Sequence, residues 1–377
     1  MALGLASLFS DAGHEAATAV LPLFLASIGG SAASLGLIEG VADALSTGAK
    51  LLSGWFSDGL EHRKPVGTLG YATTGLGIAG LAVAFTPLQV LIVRAFCWFG
   101  RGARGPVRDA MLAEAVPPWT YGRAFGFHRA MDTAGAVVGP LIALALVGRV
   151  GFRTIFAVTL IPGILSVIAF ASVREHAQAR TRSTLGQSLR ELPGSFRGFL
   201  LAVGIFGLGD FARSLLVLRA SQLSNASTAI STTLFAVALY VLHNLAHALS
   251  AYGFGVLGTY LGGRRVLVGG YVLFAVMSFG FAILPAHPPL VVLVGLFILA
   301  GLSLSAEEVL EGTVAADLLP ERLLGTGYGA LAAVNGIGDF AASAIVGALW
   351  AGASPTAGFA YAGVMGLAGA IALARLG

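Results

Sequence analysis

Gly54-Trp55-Phe56-Ser57-Asp58-Gly59-Leu60-Glu61-His62-Arg63-Lys64 separates two long apolar runs, and Gly255-Val256-Leu257-Gly258-Thr259-Tyr260-Leu261-Gly262-Gly263-Arg264-Arg265 separates two more, 201 residues later. Both blocks open on glycine and end in a basic pair at the same offset. A second set repeats beside them. Glu114, Pro117, Gly122 and Gly126 recur as Asp317, Pro320, Gly325 and Gly329, each 203 residues on. Two blocks in register at nearly one offset mark a chain made of two copies of one unit.

The surrounding composition says what that unit is. Of 377 residues 56% are hydrophobic and only 11% charged, with a mean hydropathy of +0.87. Soluble domains carry about 25% charged residues. A helix of about 20 apolar residues crosses a bilayer core about 30 Å thick, and runs of that length recur here from end to end. They are too long for tilted membrane strands and lack two-residue alternation. The 53 glycines suit close helix contacts in a membrane, as at Gly75, Gly77 and Gly80. Spans are predicted at 3–27, 34–57, 66–85, 88–112, 123–147, 153–172, 198–219, 229–254, 266–285, 289–312, 326–350 and 355–375. The expected fold is therefore an all-α integral membrane protein of about twelve transmembrane helices in two pseudo-symmetric six-helix halves. The halves cover residues 1–172 and 198–377, joined by a polar linker at 173–197. The first run has no basic leader and reads as a retained span rather than a secretory signal.

Basic residues orient the chain. The linker carries Arg174, Arg180, Arg182, Arg190 and Arg197; Arg63, Lys64, Arg123, Arg264, Arg265, Arg322 and Arg375 fall on its side of the membrane, against Arg149, Arg153 and Arg219 on the other. Linker and both termini are expected to be cytoplasmic, in the inner (plasma) membrane of a bacterium. The net charge of +4 is spread along the chain, so no nucleic-acid partner is expected. The single cysteine, Cys97, excludes an internal disulfide. No phosphate-binding Gly-Lys-Ser/Thr loop, nucleophile elbow, His-Glu-x-x-His or paired Cys-x-x-Cys is present, so neither ATP-driven pumping nor enzymatic activity is expected. No cofactor and no resident metal are expected, and the chain is expected to be a monomer.

In the first block Gly54, Asp58, Arg63 and Lys64 match the loop motif between spans two and three of the major facilitator superfamily. Gly59 and Glu61 depart from it, standing where a basic residue and a glycine are usual. Arg94 and Gly100 are similar to the family's span-four pattern. Gly135-Ala136-Val137-Val138-Gly139-Pro140 resembles its span-five motif of exporters that run as antiporters. The resemblance covers the whole chain. It implies that spans one, four, seven and ten line a central path.

Charges inside the spans are the most informative residues, because a charge at the bilayer centre costs about 2.5–3.5 kcal/mol on insertion scales and faces a cavity or a partner. Asp11, His14 and Glu15 lie in span one; Glu39, Asp43 and Lys50 in span two; Arg94, Arg101, Arg104, Arg108 and Asp109 in span four. His128, Arg129 and Asp132 lie in span five, Asp210 and Arg213 in span seven, and His243, Asn244 and His247 in span eight. Glu307, Glu308 and Glu311 follow in span ten, and Asn335 and Asp339 in span eleven. Spacings of three and four put each group on one helix face. Glu39 and Asp43, one turn apart, repel when both are ionised, which favours holding a proton. Asp11, Glu15, Glu39 and Asp43 are accordingly the expected proton-coupling groups, and Asp11, His14, Arg101, Asp210 and Arg213 the expected solute contacts.

The gating groups expected are Asp58 and Arg63, with an Arg101/Arg104/Arg108 face set against Glu307/Glu308/Glu311. At the 203-residue offset Arg104 aligns with Glu307 and Arg108 with Glu311. The competing arrangement pairs each charge within its own half, as Arg108 with Asp132. The leading expectation is proton-coupled export of a small polar or amphipathic solute. Import of an anionic metabolite, favoured by the span-four arginines, and divalent-metal transport, favoured by the His/Asp/Glu groups, are alternatives. A non-transporting receptor or an intramembrane hydrolase built on Asp11, His14, Glu15 and His128 is the reading from another class.

Overall fold

The computed structural model describes residues 1–30, 32–146, 149–175, 183–223 and 229–376. Their regular structure is helical. In chain order the helices are α1 (Ala2–Ser27), α2 (Ala32–Asp58), α3 (Lys64–Gly80), α4 (Pro87–Glu114), α5 (Tyr121–Leu146), α6 (Phe152–Val158), α7 (Leu160–Ala171) and α8 (Leu185–Glu191). There follow α9 (Gly194–Gly207), α10 (Ser214–Gln222), α11 (Ala229–Leu261), α12 (Gly263–Ala282), α13 (Leu290–Leu318), α14 (Leu324–Gly352) and α15 (Pro355–Arg375). Helices account for most of each expected span, with α6–α7 forming the sixth and α9–α10 the seventh. Of the described helices, six segments cross a membrane by length and hydropathy alone. Charged residues such as those of α1, α2 and α4 lower the hydropathy of the others.

Three departures from the expected spans have local causes. The sixth breaks at Thr159, three residues before Pro162, whose ring cannot donate to the Val158 carbonyl and crowds it. The seventh is not continuous: α9 stops at Gly207, and 208–213 is not helical. Gly204, Gly207 and Gly209 weaken a helix there, and Ala212 donates its N–H to Ser343 Oγ at 2.9 Å. The eighth runs to Leu261 instead of 254, because its glycine block remains helical until Gly262. The φ of +90° at Gly262 is one that side chains other than glycine rarely adopt.

Two compact units result. Unit 1 holds Met1–Pro117, Met131–Leu192 and Leu319–Ala333; unit 2 holds Pro118–Ala130, Pro193–Leu318 and Val334–Gly377. Within unit 1, Phe24 packs edge-on against Phe156 at 5.0 Å, among Leu21, Ile78 and Trp98. Within unit 2, Phe206 stacks on Tyr271 at 3.7 Å, and Phe211 meets Phe359 edge-on. Supporting helices present apolar side chains outward: Leu69 and Leu76 on α3, Ile161 and Ile168 on α7, Val272 and Val276 on α12, Val364 and Ile371 on α15. Such surfaces suit lipid, and these helices correspond to spans three, six, nine and twelve.

Glycines set how closely the charged helices approach. In unit 1 a Cβ at Gly135 or Gly139 of α5 would collide with the α1 carbonyls of Leu8 and Ala12. Gly13, on the other side of α1, lies against Pro162 and Thr159 at the break between α6 and α7. The Gly135–Pro140 motif thus seats α1, and with it Asp11. Gly139→Ala is expected to lower stability by about 1–3 kcal/mol through overpacking. Gly347→Ala, at a position with open space, should leave stability unchanged or slightly raised. Thermal melting of both variants in detergent checks this; equal midpoints would contradict the packing role.

Candidate functional site

Unit 1 gathers charge on one face of α4. Arg101, Arg104 and Arg108 follow each other at helical spacing, and α1 brings Asp11 against the first two. Arg101 Nη1 donates to Asp11 Oδ1 at 3.0 Å and Arg104 Nη2 to the same oxygen at 3.2 Å. Asp11 and Arg104 are buried, whereas the Arg101 side chain keeps 30% exposure and Glu15, one turn from Asp11, keeps 31%. His14 is buried, 3.7 Å from Glu15, with its ring 4.4 Å from Trp98. Arg94 lies over the same indole at 3.6 Å and donates to Thr18 Oγ1. Trp98 Nε1 donates to the exposed Asp43 at 2.9 Å. The Glu39 side chain lies outside the described ones. One buried carboxylate thus holds two guanidiniums, beside a rim of Glu15, Asp43 and Arg101 open to a guest.

Arg108 reaches Asp109 at 2.9 Å, Ser7 Oγ at 3.4 Å and Asp132 at 3.8 Å. In unit 2, Glu311 accepts hydrogen bonds from Tyr271 and Asn335, each at 2.6 Å. Glu308 sits 3.3 Å from His247 and 3.9 Å from Arg129. The ion pairs found for Arg101, Arg104 and Arg108 therefore fall within unit 1, and those of Glu308 within unit 2. Arg129, on α5 of the first repeat, reaches Glu308 on α13 of the second. Arg213 is 3.6 Å from Asp210, at the break between α9 and α10. Among the described residues no group of three or more His, Cys, Asp or Glu side chains is disposed to hold a metal ion.

Sequence reasoning missed a pair of tyrosines. Tyr71 is fully buried, its hydroxyl 3.2 Å from Ser7 Oγ and its ring 4.2 Å beneath Arg104. Tyr271, equally buried, donates to Glu311. The signal was available: Gly70-Tyr71 recurs as Gly270-Tyr271, 200 residues on, at almost the offset of the other repeats.

The repeated glycine blocks meet crosswise. In unit 1 Gly54 of α2 abuts Gly325 and Gly329 of α14; in unit 2 Gly255 of α11 abuts Gly122 and Gly126 of α5. Each first-block glycine therefore touches the second-block glycines of the other repeat. The first crossing is closed by Asp58, whose Oδ1 accepts from the Gly325 N–H at 2.9 Å and Oδ2 from the Thr326 N–H at 2.6 Å. A carboxylate on the first turn of a helix meets both orphan donors and the positive end of the dipole. Arg63, fully buried, donates to Asp58 at 2.5 Å and lies 3.3 Å from Glu114. Glu175, at the start of the linker, accepts from the Arg63 and Lys64 N–H groups at 2.6 and 3.1 Å. The second crossing has Thr259 where Asp58 would align, and adds Arg123 donating to the Tyr260 hydroxyl at 2.6 Å. Asp58 and Arg63 are thus joined, at one of two related crossings.

Comparison with known proteins agrees with this architecture. The sequence model of the Major Facilitator Superfamily matches residues 3–237. An uncharacterized MFS-type transporter of Methanocaldococcus jannaschii is 30% identical over 368 residues, 97% of this chain and 91% of the relative. The multidrug resistance protein MdtG of a Rahnella species is 28% identical over 144 residues, 37% of this chain and 35% of its own. Among solved structures, a bacterial homologue of the iron transporter ferroportin in its outward-facing state superposes with a TM-score of 0.77 at 17% identity, over 100% of this chain and 97% of that one. With its duplicated six-helix halves, its charged α1 and α4, and a family match over most of its length, the chain belongs to the Major Facilitator Superfamily of multi-pass membrane transporters.

Proposed function

We propose that this transporter exports a small polar or amphipathic solute in exchange for protons, by alternating access between its two halves. The observation that carries the reading is Asp11, buried between Arg101 and Arg104 with the more open Glu15 and Asp43 nearby. A guest bearing charge competes for Arg101, and a proton on a neighbouring carboxylate changes the charge that the guest meets. Asp11, Glu15, Glu39 and Asp43 are the coupling groups. Asp11, His14 and Arg101 contact the solute from the first half, and Asp210 and Arg213 from the second. Similarity to a protein named for multidrug resistance supports export over import. Linker and termini are cytoplasmic on the basic-residue bias.

The two glycine crossings act as the cytoplasmic gate. They hold through backbone contact and a small number of polar bonds, so they can part without unfolding a helix. Because the desolvation cost of buried ion pairs offsets much of their attraction, such contacts bias a two-state equilibrium rather than lock it.

Reconstituted vesicles with an imposed pH gradient test the reading. A panel of fluorescent cationic, zwitterionic and anionic dyes is offered on the side corresponding to the cytoplasm. At least one dye should accumulate against its gradient, and a protonophore should abolish the accumulation. Flux of every dye equal to that in protein-free vesicles, or indifferent to the protonophore, contradicts it.

A further inference from the structure

The break in the seventh span creates a second polar centre, inside unit 2. Residues 208–213 leave the helix and bring Asp210 and Arg213 to a small cavity of about 20 Å³. His243 of α11 and Ser303 and Glu307 of α13 complete its polar lining. A volume of about 10–15 Å³ of this kind admits one water, so the cavity holds one water-sized guest and no organic solute. His243 is 2% exposed; its ring lies by the Phe297 carbonyl, and neither ring nitrogen makes a hydrogen bond of good geometry among the described residues. Glu307 is 8% exposed and makes no hydrogen bond or ion pair among the described residues. Its helix neighbours are satisfied, Glu311 by Tyr271 and Asn335, and Glu308 by His247 and Arg129.

Charge completes the argument. The charges nearest the cavity are the carboxylates of Asp210 and Glu307 and the single guanidinium of Arg213. Farther charges acting on Glu307 are Glu311 on its own helix and Asp339 on α14; Arg213 feels Glu308 as well, and His243 feels His247. From α12 the titratable group acting with Glu307 is the phenol of Tyr271. The pseudo-symmetric position in unit 1 is built the other way, with two arginines on one carboxylate, and Glu307 occupies the place of Arg104. Unit 2 therefore lacks one positive charge where it has room for one small guest.

We infer that the cavity between Asp210, His243 and Glu307 is a binding site for one monovalent cation, a proton or a sodium ion, held by Glu307. As a proton the guest sits on Glu307, with a water in the cavity linking the carboxyl group to a His243 nitrogen. As sodium it takes oxygen from Glu307, Asp210 and Ser303. Either cation leaves the centre neutral with Arg213. This deepens the coupled-transport reading, on which its physiological role rests, by adding a coupling site in the second half to the acids of the first.

Binding tests it without any transported solute. The purified full chain is assayed for radioactive sodium bound per chain at saturation. It is also assayed for protons taken up between about pH 9 and about pH 5, a window that spans the carboxylate and imidazole ranges. Wild type, Glu307→Gln, Glu307→Asp and His243→Gln are compared, each checked for a monodisperse, cooperatively melting state. A proton site predicts that Glu307→Gln takes up one proton fewer, that Glu307→Asp restores it, that His243→Gln shifts the midpoint, and that sodium does not bind. A sodium site predicts one ion per wild-type chain, lost in Glu307→Gln and regained with weaker affinity in Glu307→Asp. No sodium bound by wild type, with proton uptake equal in wild type and Glu307→Gln, overturns the inference. Should Glu307→Gln not fold, absence of sodium binding together with a proton-uptake curve of His243→Gln that superposes on that of wild type overturns it. Failure of the dye flux with cation binding intact would instead remove the exporter reading alone.

Discussion

Asp11→Asn is expected to reduce gradient-driven solute accumulation by at least about tenfold while leaving the protein folded. Asn keeps the shape of the side chain and removes its charge. Arg101 and Arg104, which donate to one Asp11 oxygen at 3.0 and 3.2 Å, then face a neutral amide. Breaking a buried pair by removing one partner costs about 3–5 kcal/mol. If even about 1.4 kcal/mol of that falls on one conformational step, the rate changes tenfold. Arg101 is partly open, so hydration of its guanidinium reduces the penalty on that side. Asp11→Glu retains the charge on a longer stem and should recover part of the accumulation. An Asp11→Asn protein with wild-type accumulation would remove Asp11 from the coupling machinery.

The second large effect concerns Asp58. Asp58→Ala removes the acceptor for two N–H groups of α14 and takes one carboxylate from the fully buried Arg63, which keeps Glu114 at 3.3 Å. Hydrogen bonds to a charged group contribute about 1.5–3 kcal/mol each. Losing both bonds shifts a two-state gate by roughly two to four powers of ten. Transport should fall by about tenfold or more, because a gate that rests open returns slowly. Spin labels at the exposed Glu61 and Glu321 read the crossing directly: a short distance in the wild type should give way to a longer one in Asp58→Ala. Asp58→Asn, still able to accept from one N–H, should lie between. An unchanged distance distribution in Asp58→Ala would show that the carboxylate does not hold the crossing.

The contrast between those two sites shows what the sequence could reveal. The parts of the crossing were legible as a repeat, since Gly54 and Gly255, Gly122 and Gly325, and Gly126 and Gly329 stand at nearly constant offsets, but their contact appears first in the structure, where glycine lets the backbones touch. The charged faces of α1, α4 and α13 were legible too, since helical spacing puts residues three and four apart on one side. Partners were not. Whether Arg104 meets Asp11 or a glutamate of α13 depends on the distance between helices far apart in sequence, and periodicity carries no such information. The break in the seventh span was hidden for another reason. Glycine is common throughout this chain, so Gly204, Gly207 and Gly209 gave no contrast with glycines that sit comfortably inside helices. Tyr71 and Tyr271 carry no charge and read as ordinary apolar bulk, although their repeat at 200 residues marked them.

Placed together, the two halves use one scaffold with inverted charge. Asp11 of α1 corresponds to Asp210 at the break, Arg104 to Glu307, Arg108 to Glu311 and Tyr71 to Tyr271. Unit 1 satisfies its carboxylate, Asp11, with arginines; unit 2 satisfies Glu311 with a tyrosine and an asparagine, while Glu307 makes no hydrogen bond among the described residues. On the roles proposed above, Arg101 of the first half meets a charged group of the solute and Glu307 of the second holds the small cation.

The central claim is that solute and protons move in opposite directions through this chain. Vesicles loaded with a pH-sensitive dye measure it directly. An accumulating solute, found with the dye panel, is added outside with no pre-formed gradient. Entry of solute should drive protons out, so the lumen should become more alkaline in wild-type vesicles and stay constant with Asp11→Asn. A lumen that turns acidic on solute entry, or that does not respond while solute enters, would contradict proton antiport.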